Sequence, residues 1–121
     1  MTFAGDLNYL RQEKETMSPE DWIAEVNEYG PDKDRDEFTP LICACRHGQL
    51  EVVKFLIENG ADYRKTRRNK HSTGLHFATV YDHIEIVKYW IEQLHHKVVP
   101  RDLEYADDVK HIREYLLQHK V

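Results

Sequence analysis

One hundred and twenty-one residues, 40% apolar and 32% charged, specify one domain with a real but thin core. Seventeen basic against twenty-two acidic residues leave a net charge of −5, which argues against a general nucleic-acid binder. No apolar run approaches the ~20 residues of a membrane span, and the first residues lack the basic and apolar regions of a signal peptide. Cys43 and Cys45, the two cysteines, stand two positions apart, so a helix turns them to different sides and denies them a disulfide. The expected setting is a reducing one, cytoplasmic or nuclear.

In chain order, residues 6–14 read as a helix with Leu7 and Leu10 on one face. Ser18 then offers a cap, Pro19 a favoured first helical residue, and Asp21 an acid three positions after the cap. The following helix carries Trp22, Ile23, Val26 and Tyr29 as an apolar stripe and stops at Gly30 and Pro31. Two arrangements suit this stretch. The helices form an antiparallel pair that shields one end of a stack, or the first is the outer helix of a repeat and residues 19–29 are an insertion. The charged residues 32–38 read as a loop or hairpin tip. Thr39 and Pro40 open a short helix, Gly48 breaks it, and residues 50–58 form a second helix with Val52, Val53, Leu56 and Ile57 inward. Asn59 and Gly60 stop that helix.

A segment of about thirty residues then recurs, and self-similarity at this period marks a stacked repeat. Residues 50–58, LEVVKFLIE, return as residues 84–92, IEIVKYWIE, at an offset of 34. Thr39 and Leu41 return as Thr73 and Leu75, and Ala44 as Ala78. Asp82 stands where Gly48 stood, and aspartate tolerates the left-handed region better than most residues. The second long helix is expected to run on to residue 96. Pro100 opens a degraded third copy, in which Ile112, Tyr115, Leu116 and Leu117 match Ile86, Tyr89, Trp90 and Ile91 at an offset of 26. Its other side is richly charged, as an end unit facing water requires.

At Thr39, Pro40, Leu41, Gly48, residues 50–54 and residues 59–62 the chain resembles an ankyrin repeat. The likeness returns at Thr73, Leu75, His76, Ala78 and residues 83–88, is specific over residues 37–97, and weakens toward both ends. The resemblance implies an all-α solenoid of helix–turn–helix units with short projecting β-hairpins. The expected division is capping helices over 1–30, repeats over 34–66 and 67–97, and a truncated capping repeat over 98–121. Departures from the pattern are Gly74 for proline, Asp82 for glycine, and Glu37 and His71 where the hairpin turn normally has glycine.

The resemblance also implies a non-catalytic module that docks another protein on its concave face, through hairpin tips and short helices. Matching the motif residue by residue assigns this surface to Arg35, Asp36, Phe38, Arg46 and His47 in one repeat. In the next it assigns Arg67, Arg68, Asn69, Lys70, Ser72, Val80 and Tyr81. Phe38 and Val80 have local packing as the alternative role, whereas Tyr81 suits an interface centre. The second hairpin holds five basic residues between positions 64 and 70, and the first is acidic. These charges either pair across neighbouring fingers or capture an acidic or phosphorylated partner segment, with nucleic acid a weaker form of that idea. Self-assembly through the repeat ends is a further reading, although a monomer is expected. No cofactor is implied.

Eight histidines raise the question of metal, but no pair stands at a zinc spacing with the cysteines. His76 and His83 occupy motif positions where histidine bonds the backbone of its own or the next turn. Cys43 and Cys45 match Phe77 and Thr79 and read as packing residues. No glycine-rich phosphate loop and no readable nucleophile–base pair are present, so no metal site and no catalytic residue are assigned.

Overall fold

The computed structural model describes residues 7–29, 38–67 and 72–119. Within them run eight helices: α1 (Leu7–Thr16), α2 (Pro19–Val26), α3 (Pro40–Arg46), α4 (Leu50–Glu58), α5 (Gly74–Val80), α6 (Ile84–Glu92), α7 (Pro100–Tyr105) and α8 (Lys110–Gln118). No strand is assigned among the described residues. The tips at 30–37 and 68–71 lie outside them, and with the tips lie Arg35, Asp36, Arg68, Asn69, Lys70 and the expected stop at Gly30 and Pro31. The base of the second finger is described, and there the Arg67 N–H donates to the Ser72 carbonyl at 2.9 Å.

The helices pair as α3/α4, α5/α6 and α7/α8. Short helix stacks on short helix (α3 on α5, α5 on α7), and α4 lies against α6. The expected starts are in place. Ser18 caps α2 by accepting from the Asp21 N–H at 3.2 Å, and Thr39 caps α3 by accepting from the Ile42 N–H at 3.3 Å. Both left-handed turns are where glycine and its substitute stand, with Gly48 at φ 72° and Asp82 at φ 65°. Gly48 has a second reason to be glycine. The His83 ring lies where a Cβ would be, 2.5 Å from that point, and its Nε2 contacts the Arg46 carbonyl at 3.1 Å. Gly74 has a steric reason as well, since an added Cβ would meet Cys45 Sγ at 2.7 Å and Trp90 at 3.1 Å.

The core runs through the stack. Leu41, Val53, Leu56, Leu75, Val87, Trp90, Ile112 and Leu116 are all buried. Cys45 is fully buried among them, and burial, reinforced by Cys43, raises its thiol pKa far above the ordinary value. Two helices end earlier than their patterns predict. The helix expected to reach residue 29 stops at Val26, because Asn27 turns its side chain to the neighbouring unit. Asn27 donates to the Gly60 carbonyl at 3.1 Å and accepts from the Asp62 N–H at 2.7 Å. The helix expected to reach residue 96 stops at Glu92. The Leu94 N–H returns to the Tyr89 carbonyl and the His96 N–H to the Trp90 carbonyl, while His95 adopts φ 57°. Leu117, aligned with the buried Ile91, is exposed, as suits the outer side of an end unit.

At the amino-terminal side α1 packs both on α2 and along α4, and Leu10 is fully buried. α2 holds the stack through polar bonds as well as packing. The Trp22 indole N–H donates to the Asn59 carbonyl at 2.7 Å, its ring meets Phe55 edge-on, and the Tyr29 hydroxyl donates to the Thr66 carbonyl at 2.8 Å.

Replacing Leu56 by alanine is expected to cost roughly 2–5 kcal/mol in urea denaturation, the usual range for a buried leucine. Gly48→Ala is expected to cost at least about 1–2 kcal/mol for the left-handed backbone alone. Asp82→Gly should be neutral or stabilising by up to about 1 kcal/mol by the same measurement.

Candidate functional site

The short helices and the base of the finger create one continuous surface. α5 ends at Val80 with Tyr81 as its C-cap residue, and the left-handed turn at Asp82 then takes the chain away. Val80 and Tyr81 therefore project from the last turn of a short helix, and each is 48% exposed. Arg46, from the corresponding turn of α3, is exposed and reaches across to them. Its guanidinium carbon lies 5.7 Å from the Tyr81 ring centroid and 5.6 Å from that of Phe38. His47, the C-cap residue of α3, is exposed beside it.

Phe38 takes the alternative role, local packing. It is only 8% exposed and meets Phe77 edge-on at 5.4 Å, so it packs locally. Arg67 covers both rings, with its guanidinium carbon 5.2 Å from Phe38 and 5.6 Å from Phe77. A guanidinium over an aromatic face is attracted by the ring quadrupole, so this cation serves the base of the finger. Lys65 turns inward as well, bonding the Asn27 carbonyl and lying 4.7 Å from the Tyr29 centroid. Of the basic run, only Arg64 is fully on the surface among the described residues. Ser72 is half-buried, with its hydroxyl 2.8 Å from the Tyr105 hydroxyl.

Between these groups is a groove of about 140 Å³ whose walls include Arg67, Phe77, Val80, Tyr81 and Tyr105. Of the residues the motif assigns, Val80, Tyr81, Arg67 and Ser72 line this groove, together with Phe77, His76 and Tyr105, which it does not assign. Tyr105 belongs to the degraded copy, where the motif gives no register for the short helix. Phe77 aligns with Cys43 and was read as packing.

One wall of the groove rests on a buried polar cluster that the sequence did not disclose. Asp102 is buried on α7, at the third position of its helix, where α5 has His76. The Thr73 N–H donates to His76 Nδ1 at 3.2 Å, which leaves the imidazole proton on Nε2. That proton points at Asp102 Oδ1, 3.0 Å away, while His96 Nε2 lies 2.8 Å from Oδ2 and the Val99 N–H donates to Oδ2 at 2.9 Å. Tyr105 completes the arrangement by stacking on His76 at 4.2 Å. Burial raises the Asp102 pKa, but the hydrogen bonds from His76, His96 and Val99 outweigh it and hold the carboxyl well below the usual range. The cluster is a tie between α5, α7 and the turn after α6. Among the described residues no group of three or more histidine, cysteine, aspartate or glutamate side chains is placed to hold a metal ion. No described helix is long and apolar enough to cross a membrane.

A stack of helix–turn–helix pairs with left-handed turns between short and long helices defines a class of repeat protein. Residues 19–102 match the family description "Ankyrin repeats (3 copies)", and the chain belongs to the ankyrin repeat family. Repeats of this family are generally protein–protein interaction modules and generally non-catalytic. The chain is similar to ankyrin repeat family A protein 2 of Mus musculus, 46% identical over 39 residues, 32% of this chain and 12% of the relative. It is also similar to alpha-latrocrustotoxin-Lt1a of Latrodectus tredecimguttatus, 41% identical over 54 residues, 45% of this chain and 4% of the relative. Palmitoyltransferase AKR1 of Debaryomyces hansenii is 35% identical over 74 residues, 58% of this chain and 9% of the relative. The matched segments thus cover small parts of much longer relatives.

The buried carboxylate gives a pH prediction whose sign is fixed by its depressed pKa. Asp102 stabilises the fold above the ordinary aspartate value near 3.8, and that contribution is lost as pH falls below it toward the folded-state value. Asp102→Asn should destabilise the fold by about 1–3 kcal/mol at pH 7 and flatten the acid limb of a urea-denaturation series below pH ~4.

Proposed function

We propose that this chain is a non-catalytic docking module that binds another protein on the concave face formed by α3, α5 and the finger bases. Tyr81 is the centre of the contact, with Val80, Arg46 and His47 around it and the hairpin tips contributing at its edge. The observation that carries this reading is the pairing of two exposed apolar side chains, Val80 and Tyr81, beside a groove, with an arginine stacked on the tyrosine. Tyrosine and arginine are enriched where binding energy concentrates, because each buries large area with directional contacts. An adaptor or scaffold role in a reducing compartment accords with two cysteines, neither of which is in a disulfide.

Arg46 favours a partner segment that carries an acidic residue next to an apolar one. It is exposed, held in place by two rings, and forms no ion pair among the described residues. A guanidinium fixed in this way loses little further freedom when it meets a carboxylate. Polyanion binding as the main activity has less support, because Lys65 and Arg67 are engaged with aromatic rings and the overall charge is negative.

Affinity capture with the intact chain, quantified against two single variants, tests the docking face. Tyr81→Asp should leave the melting temperature within a few degrees and lower affinity for the captured partner by about ten-fold or more, as an interface centre does. Lys88→Glu, on the outer helix α6, should bind normally. Equal capture by Tyr81→Asp and the intact chain would place the contact elsewhere.

A further inference from the structure

A second cavity, of about 370 Å³, opens between the base of the finger after α4 and the turn after α6. It shares no lining residue with the groove beside Tyr81. Its polar wall is entirely basic or neutral. Arg64, His95, His96 and Lys97 converge on it, and no carboxylate among the described residues lines it. Its apolar wall is Tyr63 and Leu94, with the buried Trp90 ring meeting Tyr63 edge-on at 6.1 Å. Two carboxylates that bond lining residues are already engaged. Asp102 stands behind His96 and accepts from it, and Asp62 accepts from the Arg64 backbone N–H at 3.0 Å. Among the described residues neither Arg64 nor Lys97 forms an ion pair.

Arg64 and Lys97 bring like charges to one opening, and an anion relieves their repulsion. The local geometry suits one. Arg64 lies over the Tyr63 ring, 5.6 Å from its centroid, and a guanidinium stacked in this way keeps its in-plane N–H groups available for two oxygens of one acceptor. His95 reaches the cavity from a left-handed conformation, φ 57°, that residues other than glycine seldom adopt. The turn is locked there by the bond from the His96 N–H to the Trp90 carbonyl, 3.1 Å. The cavity volume lies within the range of small-molecule sites and exceeds what a bare oxyanion fills.

We propose that this cavity binds a small phosphate monoester. The phosphoryl group sits between Arg64 and Lys97, within reach of His95, and the organic group lies along the half-buried Tyr63 and Leu94. A phosphate monoester matches the set better than a carboxylate, because it offers three acceptor oxygens and close to two negative charges to several donors.

The test is a titration of the isotope-labelled full chain with phenyl phosphate, read by amide N–H chemical shifts. Saturable shifts are expected at Tyr63, Arg64, His95 and His96. Inorganic phosphate should bind at least about three-fold more weakly, because it cannot use the apolar wall. Arg64→Glu with Lys97→Glu should cost about ten-fold or more in affinity, with the melting temperature little changed since both side chains are exposed. If that double variant does not fold, Arg64→Gln with Lys97→Gln serves the same comparison. The proposal is overturned by the lack of saturable shifts up to about 10 mM, a range that covers weak sites. It is also overturned by shifts that persist unchanged in the folded double variant, or by equal affinity for inorganic phosphate.

Discussion

Every described helix in this chain is too short to persist alone. The longest, α1, has ten residues, and the short helices α3 and α5 have seven. Isolated helices below ~12–15 residues are marginal in water even with favourable composition. What holds them is the burial of one unit's apolar face against the next, with Val53 and Leu56 in one long helix and Val87 and Trp90 in its neighbour. The packing is close enough that Gly74 has no room for a methyl group beside Trp90 and Cys45. Stability of this kind spreads through the stack by nearest-neighbour contact, and each surface feature inherits its rigidity from it.

That dependence explains what was legible in the sequence. Repetition exposes any position whose burial recurs, so Leu56 and Trp90 were readable, as was the left-handed turn shared by Gly48 and Asp82. Interactions that occur once have no second copy to reveal them. Asp102 looks like one more surface acid among twenty-two acidic residues, yet it is buried and triply bonded. Between the two roles open to Phe38 the sequence could not decide, because its neighbours are charged loop residues, while the ring that covers it, Phe77, belongs to the next unit. The helix ends at Val26 and Glu92 were missed for a related reason. Asn27 caps its own helix and at the same time bonds another unit, and no local propensity encodes the second contact.

The described finger also shows how basic residues can be structural on an acidic protein. Lys65 and Arg67 lie over aromatic rings and close the base of the finger, whereas Arg46 and Arg64 lie over rings at the exposed surface. The same residue type in the same short run therefore serves two ends. Counting charge along the sequence cannot separate them, because the decision rests on which ring lies beneath each cation.

Cys45 makes the stack's breathing visible. Its thiol is wholly enclosed between α3 and α5 and resists ionisation, and Cys43, two residues away, is partly open to solvent. An alkylating reagent can meet the outer sulfur in the native state but must wait for the two short helices to part before it meets the inner one. The chain thus carries a built-in pair of clocks, one keeping time with the solvent and the other with the parting of adjacent units.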